Sequence, residues 1–245
     1  MMQRPAPGPG TILCWVVDLQ QPADRVAVLT QVLTVDERQR ADRFVFGRDR
    51  RRFVVTRACL RDLLGRAGDV PATAIRFEYG VHGKPSLVPD MGRPTLHFNV
   101  SHSDELALIV LAADRPVGVD LEAIRPLPDL HDIATRYFAA AETSTIVGMP
   151  ARERELAFFL CWTRKEAFVK ARGEGLTLPL DRFRVSCRPG EPARILDIDG
   201  SPAAAAEWSI YDLRPAPGFV GAVVMQDVPR SLSVVHFDFD RATDP

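Results

Sequence analysis

The sequence predicts an α+β protein built from two similar halves of roughly 110 residues each. The order strand, helices, strands occurs twice along the 245 residues, and the second round starts near Val117. That order differs from the strict alternation of strand and helix that builds a parallel sheet. No clear residue-level repeat accompanies it, so the predicted duplication depends on the order of elements alone. A cleft shared by the two halves is the natural place for a ligand.

The first half combines a buried strand, helices with an apolar stripe, and further strands separated by Gly/Pro turns. In chain order the predicted segments are Thr11–Gln20 (strand), Ala23–Leu33 (helix), Val35 to about Arg66 (helix, broken at Gly47), Ile75–Gly80 (strand), 81–94 (turn), and 95–101 and 105–113 (strands).

The second half repeats this order with a longer helix. Gly173 and Gly175 follow the helical pattern and mark its end. In chain order the predicted segments are Val117–Glu122 (strand), Asp129–Tyr137 (helix), about Arg152–Arg172 (helix), and the strand-rich stretches 176–186, 207–215, 218–226 and 231–239.

Composition excludes several classes of protein. The net charge of −1 gives no general attraction to nucleic acid or to an anionic membrane. No apolar run approaches the roughly 20 residues of a membrane span. Residues 1–10 are rich in Pro and Gly, predict disorder, and lack the apolar core of a secretion signal. Cys14, Cys59, Cys161 and Cys187 are scattered, which favours buried free thiols in a reducing cytoplasm.

Lysine is rare in this chain. Of 31 basic residues only Lys84, Lys165 and Lys170 are lysines, and the other 28 are arginines. Where lysine persists, a compact and rotatable ammonium group is expected to be needed. The positions of the three lysines therefore test any assignment of a site.

Three carboxylates and an amine are predicted to face one another. Asp120 and Glu122 lie on the same side of a strand, roughly 6–7 Å apart. Glu166, Lys170 and Trp162 share one face of the long helix. Together the three carboxylates suit a hard cation such as Mg²⁺. The simpler alternatives are an exposed strand end and an ordinary Glu–Lys surface pair.

Anion-binding candidates lie in the first half. The segment Asn99–Ser103 offers a hydroxyl and an imidazole at a predicted turn, although a hydrogen-bonded structural histidine explains it equally well. A Ser/His nucleophile is disfavoured because adjacent side chains do not face each other. Lys84, in the turn Gly83–Pro85, suits a phosphate or is simply solvated. The basic run Arg48–Arg57 is a solvated face in the simpler interpretation, and the alternative is that it meets a polyphosphate or an acidic partner. Lys165 points elsewhere and is interpreted as a solvated residue.

The motifs GKP, FNVSHS, VGVDLE and WTRKEAFVKARGEGL.LPLDRF, in this order and spacing, resemble those of the 4′-phosphopantetheinyl transferases. The similarity is to the larger, pseudo-dimeric surfactin-synthetase type and runs from about Ile12 to Met225. The resemblance implies two halves related by pseudo-two-fold symmetry with the active site in the cleft between them. The halves would be 11–116, binding coenzyme A phosphates, and 117–228, holding the metal and docking the carrier, followed by a strand and tail over 229–245.

The resemblance implies a reaction and a set of site residues. The family transfers the phosphopantetheine arm of coenzyme A to a serine of an apo carrier protein and releases 3′,5′-ADP. Mg²⁺, with Mn²⁺ as an alternative, would be held by Asp120, Glu122 and Glu166. The implied phosphate-binding residues are Arg52 (3′-phosphate), Gly83, Lys84, Pro85, Ser101, His102 and Lys170.

The resemblance leaves the proton acceptor open between Glu166 and a metal-bound water, while Lys170 acts as stabiliser or acid to the leaving group. His102 binds phosphate rather than accepting the serine proton. The carrier, from a peptide, polyketide or fatty-acid synthase, would dock on Ile124–Tyr137, where Arg125 and Arg136 meet its acidic helices. A cytoplasmic monomer is expected. The alternatives are a non-catalytic coenzyme A or carrier-binding module and a Mg²⁺-dependent phosphohydrolase.

Overall fold

The computed structural model describes residues 6–80, 83–88, 96–173, 178–227 and 231–240. The strands are β1 (Thr11–Asp18), β2 (Phe77–Tyr79), β3 (Pro85–Leu87), β4 (Leu96–Ser103), β5 (Leu106–Ala113), β6 (Val117–Ala123), β7 (Phe183–Val185), β8 (Ile195–Ile198), β9 (Trp208–Leu213), β10 (Phe219–Gln226) and β11 (Ser231–His236). The helices are α1 (Ala23–Gln31), α2 (Val35–Asp42), α3 (Gly47–Gly68), α4 (Leu130–Tyr137), α5 (Ala140–Val147), α6 (Ala151–Arg172) and α7 (Pro202–Ala205).

Two larger sheets form the centre of the fold. The first has the strand order β11-β1-β5-β4, in which β5 runs antiparallel to both of its neighbours and β11 runs parallel to β1. The second has the order β6-β10-β9 and is antiparallel. Two small hairpins, β2-β3 and β7-β8, complete the strands of the described residues. The predicted α+β class is confirmed.

The two sheets pack face to face, and each carries a long helix on its other side. Alternate residues of β1 and β5, such as Ile12 and Leu108, share a core with Val119 and Leu121 of β6. The opposite face of the first sheet packs on α3, and the second sheet packs on α6. Because strand side chains alternate, the even-numbered residues of β6 face α6 instead of the core between the sheets.

Gly118 sets how closely β6 approaches α6. A Cβ atom built at this position would collide with the backbone of Ala167 and Ala171. Only glycine permits this approach, which brings the strand that carries Asp120 next to the helix that carries Glu166.

The predicted helix break and helix end are confirmed. Helix α2 stops at Asp42 and α3 starts at Gly47. Gly173 ends α6 in the left-handed conformation, with φ of 75°. The prediction for Gly175 lies outside the described residues, as do residues 1–5 of the predicted disordered N-terminus.

Two predictions of local structure are corrected, and two helices are added. The turn predicted over 81–94 contains strand β3, which pairs with β2. Residues Asn99–Ser103 do not form a turn but lie within β4. Helices α5 and α7 are additional elements that the periodicity did not indicate.

Lys165 is not a solvated residue. Its side chain is fully buried, and Nζ lies 2.8 Å from the buried carboxylate of Glu142. The same amine donates to the carbonyls of Leu180 and Phe183. Glu142 in turn accepts the backbone N–H of Val185 at 2.7 Å. This network ties α5 and α6 to β7, as a buried charge requires.

The four cysteines are buried and free, as predicted. Burial raises the pKa of the Cys14 thiol to about 12, so that thiol stays protonated. Among the described residues, the helices lack the combination of length and apolar character that crossing a bilayer requires.

Candidate active site

A pocket of about 420 Å³ lies where β4, β6 and α6 meet. It takes residues from both halves of the chain. Its lining residues are Val100, Ser101, His102, Asp120, Leu121, Glu122, Trp162, Glu166 and Lys170. The structure thus brings together the three predicted carboxylates, Lys170, Ser101 and His102.

Strand β6 contributes the two carboxylates. Asp120 is 5% exposed, and its Oδ1 accepts hydrogen bonds from Lys170 Nζ at 2.6 Å and from Ser101 Oγ at 2.8 Å. Glu122 lies two residues further along the same face and is half-buried. Its Oε2 accepts from Ser103 Oγ at 3.0 Å. Asp120 and Glu122 are two residues apart and both line the pocket, as the sequence predicts for one side of a strand.

Helix α6 contributes Trp162, Glu166 and Lys170, each four residues after the previous one. The Trp162 ring packs edge-on against Tyr137 at 6.2 Å and stacks on Phe158 at 6.0 Å, which fixes the apolar wall of the pocket. Lys170 bonds Asp120, so a single amine bridges helix and strand.

Strand β4 contributes Ser101 and His102. Ser101 is buried and accepts a hydrogen bond from Lys170 Nζ at 3.2 Å. His102 follows Ser101, lines the pocket and keeps part of its side chain exposed. Burial, followed by the positive charges of Lys170 and Arg52, lowers the pKa of His102. A lowered pKa favours the neutral imidazole at neutral pH.

The carboxylates repel one another. Burial and then the charge of Asp120 raise the pKa of Glu122, although Ser103 and Arg125 oppose the shift. Burial and then Asp120 also raise the pKa of Glu166. Lys170 offsets part of this charge at Glu166, as Arg125 does at Glu122. The pocket is thus short of positive charge when both glutamates are ionised.

The donor set fits a hard cation. Oxygen ligands from carboxylates are what Mg²⁺ takes in proteins. Oδ2 of Asp120 is buried and has no hydrogen-bond partner, as expected of an atom reserved for a ligand. In the part of the chain that is described, no three His, Cys, Asp or Glu side chains are already arranged around a common metal position. Oδ1 of Asp120 is held by Lys170. Asp120, Glu122 and Glu166 offer the carboxylate oxygens that such a cation binds, and all three line the same pocket.

The GKP segment lies beside the pocket. Gly83 adopts φ of 74°, which glycine accommodates without strain. Lys84 Nζ donates to the backbone carbonyl of Lys170, at the end of α6. Burial and the nearby Lys170 lower the pKa of Lys84. Pro85 begins β3. These residues flank the pocket lining without being part of it.

Arg52 lies on α3 and pairs with three acidic residues, of which Asp49 on the same helix is the most distant at 3.8 Å. Its Nη2 is 2.9 Å from Glu105 and 3.1 Å from Asp104, in the turn between β4 and β5. Arg51 also pairs with Glu105. The structure therefore places Arg52 near His102 but outside the pocket lining.

Sequence reasoning missed Asn99 and Ser103 as site residues. Asn99 accepts the backbone N–H of Val119, and Ser103 accepts that of Ala123. The signal was present as polar residues at alternate positions, Asn99, Ser101 and Ser103, in an otherwise apolar strand. Alternation at period two indicates one face of a strand.

Comparisons with known proteins find similarity over both parts of the chain. The sequence model of the 4′-phosphopantetheinyl transferase superfamily matches residues 116–224, and that of the 4′-phosphopantetheinyl transferase N-terminal region matches 21–115. The 4′-phosphopantetheinyl transferase HetI of Nostoc sp. is 36% identical over 86% of this chain and 86% of that protein. The 4′-phosphopantetheinyl transferase Sfp of Bacillus subtilis is 28% identical over 84% and 88%, respectively. The human L-aminoadipate-semialdehyde dehydrogenase-phosphopantetheinyl transferase is 30% identical over 63% and 52%.

Proposed function

Because the chain belongs to the 4′-phosphopantetheinyl transferase family, we propose that it transfers the phosphopantetheine arm of coenzyme A to a serine of an apo carrier protein. The observation that carries the proposal is the pocket in which Asp120, Glu122 and Glu166 meet Lys170. The similarity to most of the length of Sfp supports the larger type of the family.

In the proposed reaction the serine oxygen attacks the phosphorus on the pantetheine side of the pyrophosphate. A new P–O bond forms to serine, and the P–O bond to 3′,5′-ADP breaks. The negatively charged oxygens must be neutralised as charge builds on the leaving ADP. Lys170, Lys84 and Ser101 supply donors for these oxygens, and His102 supplies another after protonation.

Glu166 is proposed to accept the serine proton. In the metal-free pocket, burial and then Asp120 raise the pKa of this carboxylate, which favours proton uptake. Because the same carboxylate is proposed to hold the cation, a water that the cation would activate is the alternative acceptor. A carboxylate that also neighbours Lys170 can return the proton once ADP has formed. Arg52 is proposed to meet the 3′-phosphate, which requires it to exchange Asp104 or Glu105 for the ligand.

Asp120, Glu122 and Glu166 are proposed to hold Mg²⁺, or Mn²⁺ in its place. When bound, the cation would neutralise pyrophosphate oxygens as a Lewis acid. The support is the buried, unpartnered Oδ2 of Asp120 and the raised pKa of both glutamates.

We also propose that the two halves, 11–116 and 117–228, are related by pseudo-two-fold symmetry. Each contains a strand, two short helices, a 22-residue helix, a small hairpin and a two-stranded unit, in that order. The active site would then lie in the cleft between them, where β4 of one half meets β6 and α6 of the other.

The carrier is proposed to dock on Ile124–Tyr137. Arg125 and Arg136 are exposed there and would pair with acidic residues of a carrier from a peptide, polyketide or fatty-acid synthase. We propose that the enzyme is cytoplasmic, since the four buried thiols suit a reducing compartment. We also propose that it acts as a monomer, since the two halves of one chain line the pocket together.

The decisive experiment is incubation with coenzyme A, Mg²⁺ and a panel of apo carrier proteins, followed by mass spectrometry of the carriers. We expect a carrier to gain one phosphopantetheine on serine, and the gain to disappear with a chelator and with Asp120→Ala or Glu166→Ala. A phosphohydrolase would cleave coenzyme A without a carrier, and a binding module would leave both unchanged. Near-normal transfer by either variant would exclude the proposed metal ligands.

A further inference from the structure

A row of side chains on β4 takes the place of a neighbouring strand for β6. Three polar residues at alternate positions of β4 accept three backbone N–H groups at alternate positions of β6. The pairs are Val119 N to Asn99 Oδ1 at 2.9 Å, Leu121 N to Ser101 Oγ at 3.3 Å, and Ala123 N to Ser103 Oγ at 3.0 Å.

This arrangement meets a requirement of the fold. Strand β6 pairs with β10 along one edge, and backbone N–H groups of a strand point alternately to its two edges. The N–H groups of Val119 and Leu121 therefore point away from β10, at positions where both residues are buried. Buried N–H groups need acceptors, and β4, a member of the other sheet, provides side-chain oxygens instead of a backbone.

Ser103 makes a second contact that links the row to the pocket. A serine hydroxyl has one proton to donate and two lone pairs to accept with. Ser103 Oγ accepts from Ala123 N and donates its proton to Glu122 Oε2 at 3.0 Å. Ser101 is used in the same way between Leu121 N and Asp120 Oδ1. Each hydroxyl thus orients a carboxylate one residue before the N–H that fixes it.

Arg125 is the other partner of the Glu122 carboxylate. It lies 3.3 Å from Oε2, and its side chain is 56% exposed. An exposed ion pair of this length contributes little to holding one geometry. Ser103 is half-buried and hydrogen-bonded to the backbone of β6, so it restricts the orientation of the Glu122 carboxylate more than Arg125 does.

We propose that Ser103 is a positioning residue for Glu122, holding the carboxylate in one orientation for the cation of the transfer reaction. The inference rests on the proposed function of the pocket. Ser103 does not act on substrate itself. Its hydroxyl links β4, in the first half of the chain, to the proposed metal ligand Glu122 in the second half.

The test compares Ser103→Ala, Ser103→Thr and wild type. Partners that orient metal ligands are worth about 10–100-fold in metal affinity. We expect Ser103→Ala to weaken Mn²⁺ binding, followed by electron paramagnetic resonance with coenzyme A present, by about tenfold. The Thr variant keeps the hydroxyl and should return the Mn²⁺ affinity to within about threefold of wild type. In the metal-free protein, hydrogen exchange at the Ala123 amide should speed up only in the Ala variant.

Ser201→Ala is the matched control. Ser201 also accepts a backbone N–H, at the start of α7 and away from the pocket, so its loss should lower thermal stability without changing Mn²⁺ affinity. If Ser103→Ala does not fold, Ser103→Cys replaces it with the same expectation, because a thiol is a weak donor. Wild-type Mn²⁺ affinity in the Ala or Cys variant, or a defect that Thr does not repair, would overturn the role of Ser103. A wild-type enzyme that binds Mn²⁺ but transfers nothing would instead contradict the proposed function.

Discussion

Single residues of the pocket oppose the stability of the metal-free fold. Glu166 is half-buried beside Asp120, and its pKa is raised for both reasons. A group whose pKa is higher in the folded than in the unfolded chain favours folding at low pH. That contribution is lost as the pH rises through the folded pKa, so an ionised Glu166 weakens the fold at neutral pH.

Glu166→Gln should therefore make the metal-free protein more stable and less active. We expect a melting temperature a few degrees above wild type at neutral pH, since about 1 kcal/mol corresponds to 2–4 °C in a chain of this size. The gain should vanish below the ordinary glutamate value of 4.5, where wild type is protonated in both states. Transfer should fall by at least about 100-fold. Thermal melts with a chelator across the pH range measure this, and equal melting temperatures at neutral pH would contradict it.

Lys165 lies on α6 and acts on stability through Glu142 of α5. Replacing it with Met leaves Glu142 buried and without its amine, and breaking a buried pair costs about 3–5 kcal/mol. Urea denaturation of Lys165→Met should show this loss. The double variant with Glu142→Gln should recover part of it, because the amide can still accept the N–H of Val185. A double variant no more stable than the single one would argue against the pair.

At the scale of elements, the contact between β6 and α6 brings the carboxylates together. Gly118→Ala forces the two backbones apart, because the new methyl meets the carbonyl of Ala167 and the N–H of Ala171. Overpacking of this kind costs about 1–3 kcal/mol, and we expect the upper end because backbone atoms cannot rotate away.

The measurement for Gly118→Ala is the free energy of unfolding together with the transfer rate, and both should fall. Gly47→Ala is the control, since nothing lies within 4 Å of its added methyl and alanine favours the first turn of α3 by about 0.5–1 kcal/mol. Equal effects of the two substitutions would show that the approach of β6 to α6 tolerates a methyl group.

Elements were predictable where apolar periodicity is strong. The continuous apolar run of β5, the alternation in β6 and the apolar residues along α6 predict their types and nearly their bounds. Strand β3 and helix α5 are short, and partners far along the chain stabilise them: Phe77 pairs with Leu87, and Glu142 reaches Val185. Asn99–Ser103 suggests a turn because Asn and Ser are common in turns, but here their side chains bind another strand.

For the whole molecule, the sequence predicted the members of the pocket better than their contacts. Asp120, Glu122, Glu166, Lys170, Ser101 and His102 were expected together, and all line one cavity. Spacing alone does not reveal that Lys84 reaches the carbonyl at the end of α6 or that Arg52 pairs with Glu105. The first contact depends on how the two halves of the chain meet, and the second on how α3 packs beside the turn between β4 and β5. Local sequence patterns encode neither.

The C-terminal strand completes the first sheet. Strand β11 covers the outer edge of β1, and Phe237 and Phe239 pack on the core beside it. Ending the chain at Asp227 should lower the free energy of unfolding by about 3–5 kcal/mol or more, the cost of losing a large core side chain.

Urea denaturation measures the loss in the shortened chain. Val234→Ser is the control, because that side chain is 45% exposed and should change stability by no more than about 0.5 kcal/mol. A shortened chain as stable as the full one would show that β1 needs no partner on that edge.

The scarcity of lysine decides how this protein behaves toward amine-reactive reagents. The side chain of Lys165 is fully buried, and arginine side chains carry the positive surface charge elsewhere. Lys84, whose lowered pKa favours the reactive neutral amine, and Lys170 both lie at the pocket. Apart from the α-amino group, acylation therefore falls on the pocket itself. A resin or dye attached through lysine would therefore obstruct the pocket, and under the proposed function bound coenzyme A is expected to shield both amines.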